Sequence, residues 1–437
     1  MSPKHIAAVT AIAVCALVAC GDRKSAGDRK KSGRETPPTA PTSKLVEKLL
    51  VDFGMQQPMS TRRQALDTLV AKWPETRAAL PRFLSIARLD DENRASIAMG
   101  LSRVGMPLVK PVLDMVRARP AEEKTLLTAG AVAYHLVHPT GLVRRPAAQR
   151  DRLRRALRPL LTPLLRFFET KQAHDQAILM GVAVFGRDAL RQLKGLTARP
   201  GSLTRVALVL HLMMTGEKNQ SIFSPQVRAS LRKEAAPLAP VLVTALLAKP
   251  VTDKEEQPAS LRAGLEVLGE ATIRALVAEP RLRQTAHCVH TVDVVSNVPT
   301  HTGVASARPA AGLLAHCTSR LANQQLAEVG AVALGRLGSA GLTAARAELG
   351  LTVKALLAKK AAERPNTWYV AYARHPAAAA LYRDLAAVYT ASRRARSKIH
   401  EKGALDALRR LPKATLVNVR REYPMLRIAP APPRRRP

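Results

Sequence analysis

The chain has 437 residues, 69 of them basic against 33 acidic, for a formal net charge of +36. Hydrophobic residues make up 47% and aromatics only 3%, so the body is too apolar to stay disordered and its core has to be built from Leu, Val and Ala. Beyond the N-terminus no stretch reaches about 18 apolar residues without a charge, which argues against a bilayer span in the body. The scarcity of aromatics leaves little for stacking on nucleic-acid bases.

The apolar run Ile6–Ala19, 14 residues broken only by Thr10, follows Lys4. It is shorter than the about 20 residues a span needs and reads as the core of a secretory signal over residues 1–19. Leu17-Val18-Ala19-Cys20 resembles the lipobox of bacterial lipoproteins. That resemblance implies cleavage before Cys20, coupling of its thiol to a diacylglycerol and acylation of the new amino group. The mature chain is then expected to be exported and lipid-anchored to a bacterial membrane, since two or more acyl chains hold a protein stably where one does not. Gly21 stands where many enteric lipoproteins kept at the inner membrane carry aspartate, which favours the outer membrane. Cys15 would leave with the signal.

Gly21–Lys44 holds Asp, Arg, Lys, Ser, Pro and Thr but no large apolar residue. Residues 20–44 therefore read as a lipidated cysteine and a flexible tether, spanning roughly 25–30 Å on average. The body follows over residues 45–428. Strand signals are scarce, and the best candidate, Val289–Val298, also fits a helix. Thr61–Ala71 reads as a helix with Trp73-Pro74 in its turn.

In "DENRASIAMGLSRVGMPLVKPVLDMVRAR", Ile97, Leu101 and Val104 recur at helical spacing before Gly105. Pro107 suits the first turn of a second helix whose apolar positions are Leu108, Val109, Val112, Leu113 and Val116. Asp90, Asp91 and Glu92 are expected at the start of the first helix, and Arg117 and Arg119 at the end of the second. Such a hairpin cannot bury its apolar sides alone. With Arg94, Ala98, Leu101, Val104, Gly105, Leu108 and Leu113 it resembles a HEAT repeat, the helical hairpin of armadillo-type α-solenoids. Similar pieces recur as "DQAILMGVAVFGRDALRQL", "LRAGLEVLGEATIRALVAE" and "EVGAVALGRLGSAGLTAARAEL". Gly105, Gly186, Gly269 and Gly338 follow one another at intervals of 81, 83 and 69 residues, near twice the roughly 40-residue HEAT period. The resemblance implies an all-α solenoid that presents a surface to a partner.

Chemical motifs are few. There is no Walker loop, no GxSxG and no HExxH; "SLRK", Ser230–Lys233, has penicillin-binding nucleophile spacing without its companion motifs. Asp253, Glu255 and Glu256 read as loop or capping residues. The segment from His287 to Cys317 gathers four of the 11 histidines and both cysteines outside the signal region. On a helix, His287, His290 and Asp293 would share a stripe able to hold a metal. Cys288 and Cys317 could form a disulfide across about 30 residues, bind metal, or stay unpaired and buried.

The charge is uneven. Arg144–Arg158 carries seven arginines against one aspartate, and residues 393–436 carry 14 basic against three acidic residues. Arg150, Arg154 and Arg158 line one helix face opposite Leu153 and Leu157, with Thr162 expected to cap the next helix. Residues 429–437, "APAPPRRRP", read as a basic disordered tail. The excess is either compositional or an attraction to an anionic or acidic partner, an envelope protein or acidic polymer more readily than nucleic acid. The expectation is a non-catalytic envelope scaffold that needs no cofactor, with Arg150, Arg154 and Arg158 facing the partner. The alternative is an envelope enzyme with its site at His287 and His290.

Overall fold

The computed structural model describes residues 43–138, 145–170, 175–198, 200–215, 221–248, 256–360, 365–424 and 426. The chain divides into two units, Met1–Ser43 and Lys44–Pro437. The expected signal, Cys20, all of the tether up to residue 42 and the tail at 429–437 lie outside the described residues. The second unit is all-α, with no strand among the described residues. Its first helix, α1 (Lys44–Asp52), already includes Lys44, the last residue assigned to the tether.

From there the helices fall into quartets. The first holds α2 (Met59–Ala71), α3 (Leu80–Leu89), α4 (Arg94–Ser102) and α5 (Val109–Ala118). In the second, α6 (Glu123–Val137) is followed by the broken pair α7 (Ala147–Leu157) and α8 (Leu161–Thr170), then α9 (Gln176–Ala183) and α10 (Arg187–Leu196). The third repeats this plan with α11 (Leu203–Met214), α12 (Pro225–Ala235) and α13 (Ala239–Leu247), α14 (Glu256–Leu268) and α15 (Glu270–Ala278). The fourth has α16 (Cys288–Thr302), α17 (Val304–Ala307) and α18 (Ala311–Arg320), α19 (Gln324–Arg336) and α20 (Ser339–Leu357). The last comprises α21 (Tyr369–Tyr372), α22 (Tyr382–Arg394), α23 (Lys398–Arg410) and α24 (Lys413–Glu422).

Two kinds of punctuation set this period. Gly105, Gly186, Gly269 and Gly338 all have positive φ, at 77°, 52°, 61° and 64°, and each stands before the second helix of its hairpin. That left-handed conformation is one a side chain resists; at Gly269 a Cβ would also meet Thr302 Cγ2 at 2.4 Å. The second mark is a 3₁₀ turn entering the other long element of each quartet, at Arg77–Ala79, Arg158–Leu160, Ala236–Leu238 and Arg308–Ala310. In the last three a proline sits at the first turn, where its missing N–H costs nothing. Thr162 is accordingly not a cap: it is the second residue of α8, which follows the turn directly.

The helices pack in two rows. The first row is α2, α4, α6, α9, α11, α14, α16, α19, α21 and α23, each touching the one before and the one after. The second row follows the same order, with contacts such as α3 to α5, α13 to α15, α18 to α20 and α22 to α24. Among the described residues, substantial contacts join only the same or adjacent quartets. Backbones in the first row come very close: a Cβ on Gly130 would lie 2.5 Å from Ala177 O, and one on Gly181 would lie 2.5 Å from Gly130 Cα. The core between the rows is mostly Leu, Val and Ala, with Leu101, Val112, Val182, Leu193, Leu265 and Leu334 fully buried. Phe53 stacks on Phe83 at a ring distance of 4.0 Å near the start, and Trp368, Tyr369 and Tyr372 fill the last quartet.

Asp90 does not open α4, as its neighbours in sequence suggested. It follows the end of α3, buried, and pairs with the buried Arg62 of α2 while accepting bonds from Asn93, which itself precedes the helix. Burial pushes its carboxyl up, but the Arg62 and Asn93 hydrogen bonds hold it below the usual carboxylate range.

Candidate functional site

The histidine-rich segment lies mostly on α16, which also absorbs the strand candidate at Val289–Val298. His287 is half-buried at its start, and His290 is 1% exposed with no protein partner for either ring nitrogen. Burial lowers the His290 ring to about 4, and the nearby Arg262 and His287 add to the effect. Asp293, the third member of the stripe, is bound by Arg262 at 2.9 Å. His301 lies 3.9 Å from Glu266 on α14, and His316 on α18 bonds Arg283 O at 3.0 Å and Arg320 at 2.7 Å. The four histidines are thus dispersed, and among the described residues no group of three His, Cys, Asp or Glu converges to hold a metal. Cys288 and Cys317 meet in the core, joined in the structure with Cα atoms 4.7 Å apart, so that α16 of the first row is tied to α18 of the second. Ser230 of "SLRK" accepts a bond from Arg187 at 2.9 Å on an exposed surface, with Lys233 pointing to solvent.

The arginine ridge is not an open face. Arg154 is largely buried: its Nε donates to Val184 O at 2.6 Å, its guanidinium lies 4.6 Å from the Phe223 ring centre, and Asp151 pairs with it. Burial lowers its pKa, partly offset by Asp151, with Arg150 adding to the lowering. Arg158 is exposed and pairs with Asp188 at 3.2 Å, while Arg150 is half-buried. The amphipathic pattern misplaced Arg154 because α9 and the Phe223 segment cover the side of α7 that looked solvated.

The same pattern recurs 78 residues later. Arg150, Arg154 and Pro159 correspond to Arg228, Arg232 and Pro237. Arg232 Nε donates to Val267 O at 2.9 Å and another of its nitrogens to Met214 O at 3.3 Å, the carbonyl that also accepts from Arg228 at 3.5 Å. Val184 and Val267 both stand two residues before a turn glycine, Gly186 and Gly269. In both of these quartets an arginine of the second row therefore satisfies a carbonyl at the C-terminal end of a first-row helix, a place where the helix leaves its last carbonyls without partners. Arg228 and Arg232 also border a cleft of about 340 Å³ with Thr215, Thr300 and His301. The threonine hydroxyls donate to His211 O and Asn297 O of their own helices, so they offer the cleft only lone pairs.

A larger groove of about 490 Å³ lies between α3 and α5 in the second row of the first quartet. Leu80, Leu84 and Met115 line it, with Pro81, Pro107 and Pro111 as rigid walls. Four cations, Arg77, Arg88, Lys110 and Arg119, border it against one carboxylate, Asp114. Lys110 bonds Asp114 at 2.6 Å and Arg88 pairs with Glu122. Lys110 is 81% exposed, so it reaches into solvent at the rim. No spacing rule in the sequence marks this groove; the closest signal is that Pro81, Pro107 and Pro111 each stand beside apolar residues or a lysine or arginine.

No protein-family model matches the chain, and no curated protein matches it.

Proposed function

We propose that the protein is an exported, lipid-anchored α-solenoid of HEAT-like hairpins that serves as a non-catalytic binding scaffold for an anionic or acidic partner in a bacterial envelope. The observation that carries the reading is the pair of helix rows in which, among the described residues, every substantial contact is within a quartet or between adjacent ones. A quartet is two hairpins, and the starts of α6, α11, α16 and α21 are 80, 85 and 81 residues apart, near two HEAT periods of about 40. Proteins built in this way bury their core between successive units and leave long faces for partners. The net charge of +36 gives such a face a positive field. The lipobox around Cys20 supplies the anchor, and no described helix is long and apolar enough to cross a membrane.

The test uses the full chain with Cys20→Ser to remove the acyl chains. That protein should bind polyglutamate at low salt and release it as salt rises through about 0.1 M, where exposed charges are screened within roughly 10 Å. Wild type isolated from cells should partition into detergent and yield an acylated N-terminal peptide, and Cys20→Ser should do neither. Absence of polyglutamate binding at low salt would sink the scaffold, and a mature peptide with a free Cys20 thiol would sink the anchor.

A further inference from the structure

We propose that the groove between α3 and α5 docks an acidic peptide segment bearing apolar side chains, contributed by a protein partner; this rests on the scaffold reading and gives its partner a chemistry. The lining combines two features that an acidic polymer alone would not need. Met115 with Pro81, Pro107 and Pro111 gives a recess of about 490 Å³ its apolar surface, over the buried Leu80 and Leu84, and Arg77, Lys110 and Arg119 place cations around it. Pockets of this size hold several side chains, and an amphipathic segment buries such side chains at i, i+3, i+4 and i+7. The proline walls add preorganisation, because they lose no side-chain freedom when a ligand arrives.

Other occupants fit less well. A second copy brings another +36 of charge to a basic rim. The chain's own outlying segments are basic too: Gly21–Lys44 holds seven basic and three acidic residues, and residues 429–437 hold three basic and no acidic ones. A bilayer presents headgroups over a broad surface and cannot fill a recess with single side chains. Carboxylates flanking leucines match both parts of the lining.

The experiment measures fluorescence anisotropy of a labelled acidic peptide with leucines at i, i+3, i+4 and i+7, added to the full chain carrying Cys20→Ser. The control peptide has serine at each leucine. The leucine peptide should bind about tenfold more tightly than the serine peptide, a step of 1.4 kcal/mol. Arg77→Glu with Lys110→Glu should weaken it at least about tenfold, and Met115→Glu should remove the leucine preference. Arg191→Glu with Arg274→Glu makes the same charge change on exposed positions of α10 and α15 and should cost under about threefold. Circular dichroism and melting of each variant establish that it is folded. If the leucine and serine peptides bind alike, or both double variants lose affinity equally, the groove is not the site although the scaffold stands. If neither peptide nor polyglutamate binds at low salt, the scaffold reading falls as well. Tighter binding to anionic vesicles than to peptide, abolished by the rim variant, would overturn the peptide in favour of a membrane.

Discussion

The two rows of helices use their residues differently. In the first row, small residues let backbones touch: Gly130 on α6 and Gly181 on α9 face each other with no room for a Cβ. In the second row, Gly195 on α10 has nothing within 4 Å of where its Cβ would be, and the same holds for Gly312 and Gly350. The first row also holds histidines kept neutral by burial, whereas second-row helices α3 and α5 border the groove of about 490 Å³. A side chain added at Gly181 should therefore be felt far more than one added at Gly195.

The sharpest break in that contrast is a pair of glycine replacements within one quartet. Gly181→Leu puts a large side chain against the Gly130 backbone and should cost several kcal/mol, at least the about 1–3 kcal/mol of ordinary overpacking, since backbone cannot yield as a side chain does. Gly195→Ala should instead stabilise by about 0.5–1 kcal/mol through helix propensity. Urea unfolding of the two variants tests this, and equal effects would erase the distinction between rows.

Next in size is the tie between the rows in the fourth quartet. Cys288→Ala with Cys317→Ala, or reduction of the wild type, should lower stability by about 2–4 kcal/mol, because the bond closes a loop of about 30 residues. Unreduced protein should show no alkylatable thiol at these positions. An unchanged melting temperature after reduction would remove the covalent link as a contributor.

Acid should act through the first row. His135 on α6 and His290 on α16 sit at about 4, each through burial first, with His138 adding for the former and Arg262 and His287 for the latter. A free histidine is near 6.5, so the unfolded chain takes up these protons first. Stability present above pH 6.5 should therefore fall as pH drops toward 4, by about 1 kcal/mol per pH unit for each ring. His135→Phe should flatten the profile between pH 6.5 and 5 as measured by urea midpoint. A variant with the same slope as wild type would show that the ring does not titrate there.

The smallest expected difference separates two neighbouring arginines of the second row. Arg154→Gln strands the Val184 carbonyl and uncovers Phe223, at about 1–3 kcal/mol. Arg158→Gln removes an exposed pair with Asp188 and should cost under about 1 kcal/mol. Reversal of that order would return Arg154 to the surface.

The helical hairpins and their turns were legible because glycine at a left-handed turn and apolar residues at helical spacing are both local signals. All four of the spaced glycines stand in hairpin turns, where the structure gives each a positive φ. What escaped notice was less local. Arg154 has the flanks of a solvated residue, and its partners Val184 and Phe223 lie 30 and 69 residues away. The signal that could have exposed it is internal: the Arg-x3-Arg-x4-Pro pattern at Arg150 and again at Arg228. Asp90 was misread for a similar reason, since an acidic residue between two helices suits either a cap or a distant arginine, and Arg62 is 28 positions upstream. The His287, His290 and Asp293 stripe showed the limit of periodicity, which places residues on a common face without saying that the face is core.

The turn glycines and 3₁₀ entries recur at nearly the same interval, 81 and 83 residues for the first two glycine steps and 81 and 78 for the first two 3₁₀ steps. The second and third quartets therefore begin and end on joints of the same kind. An in-register duplication or loss of one such block, for example residues 123–202, would bring together helix ends of the same kind and leave the remaining contacts as they were. Length in this molecule is thus an adjustable quantity, open to change by a single recombination event without any new core having to be invented.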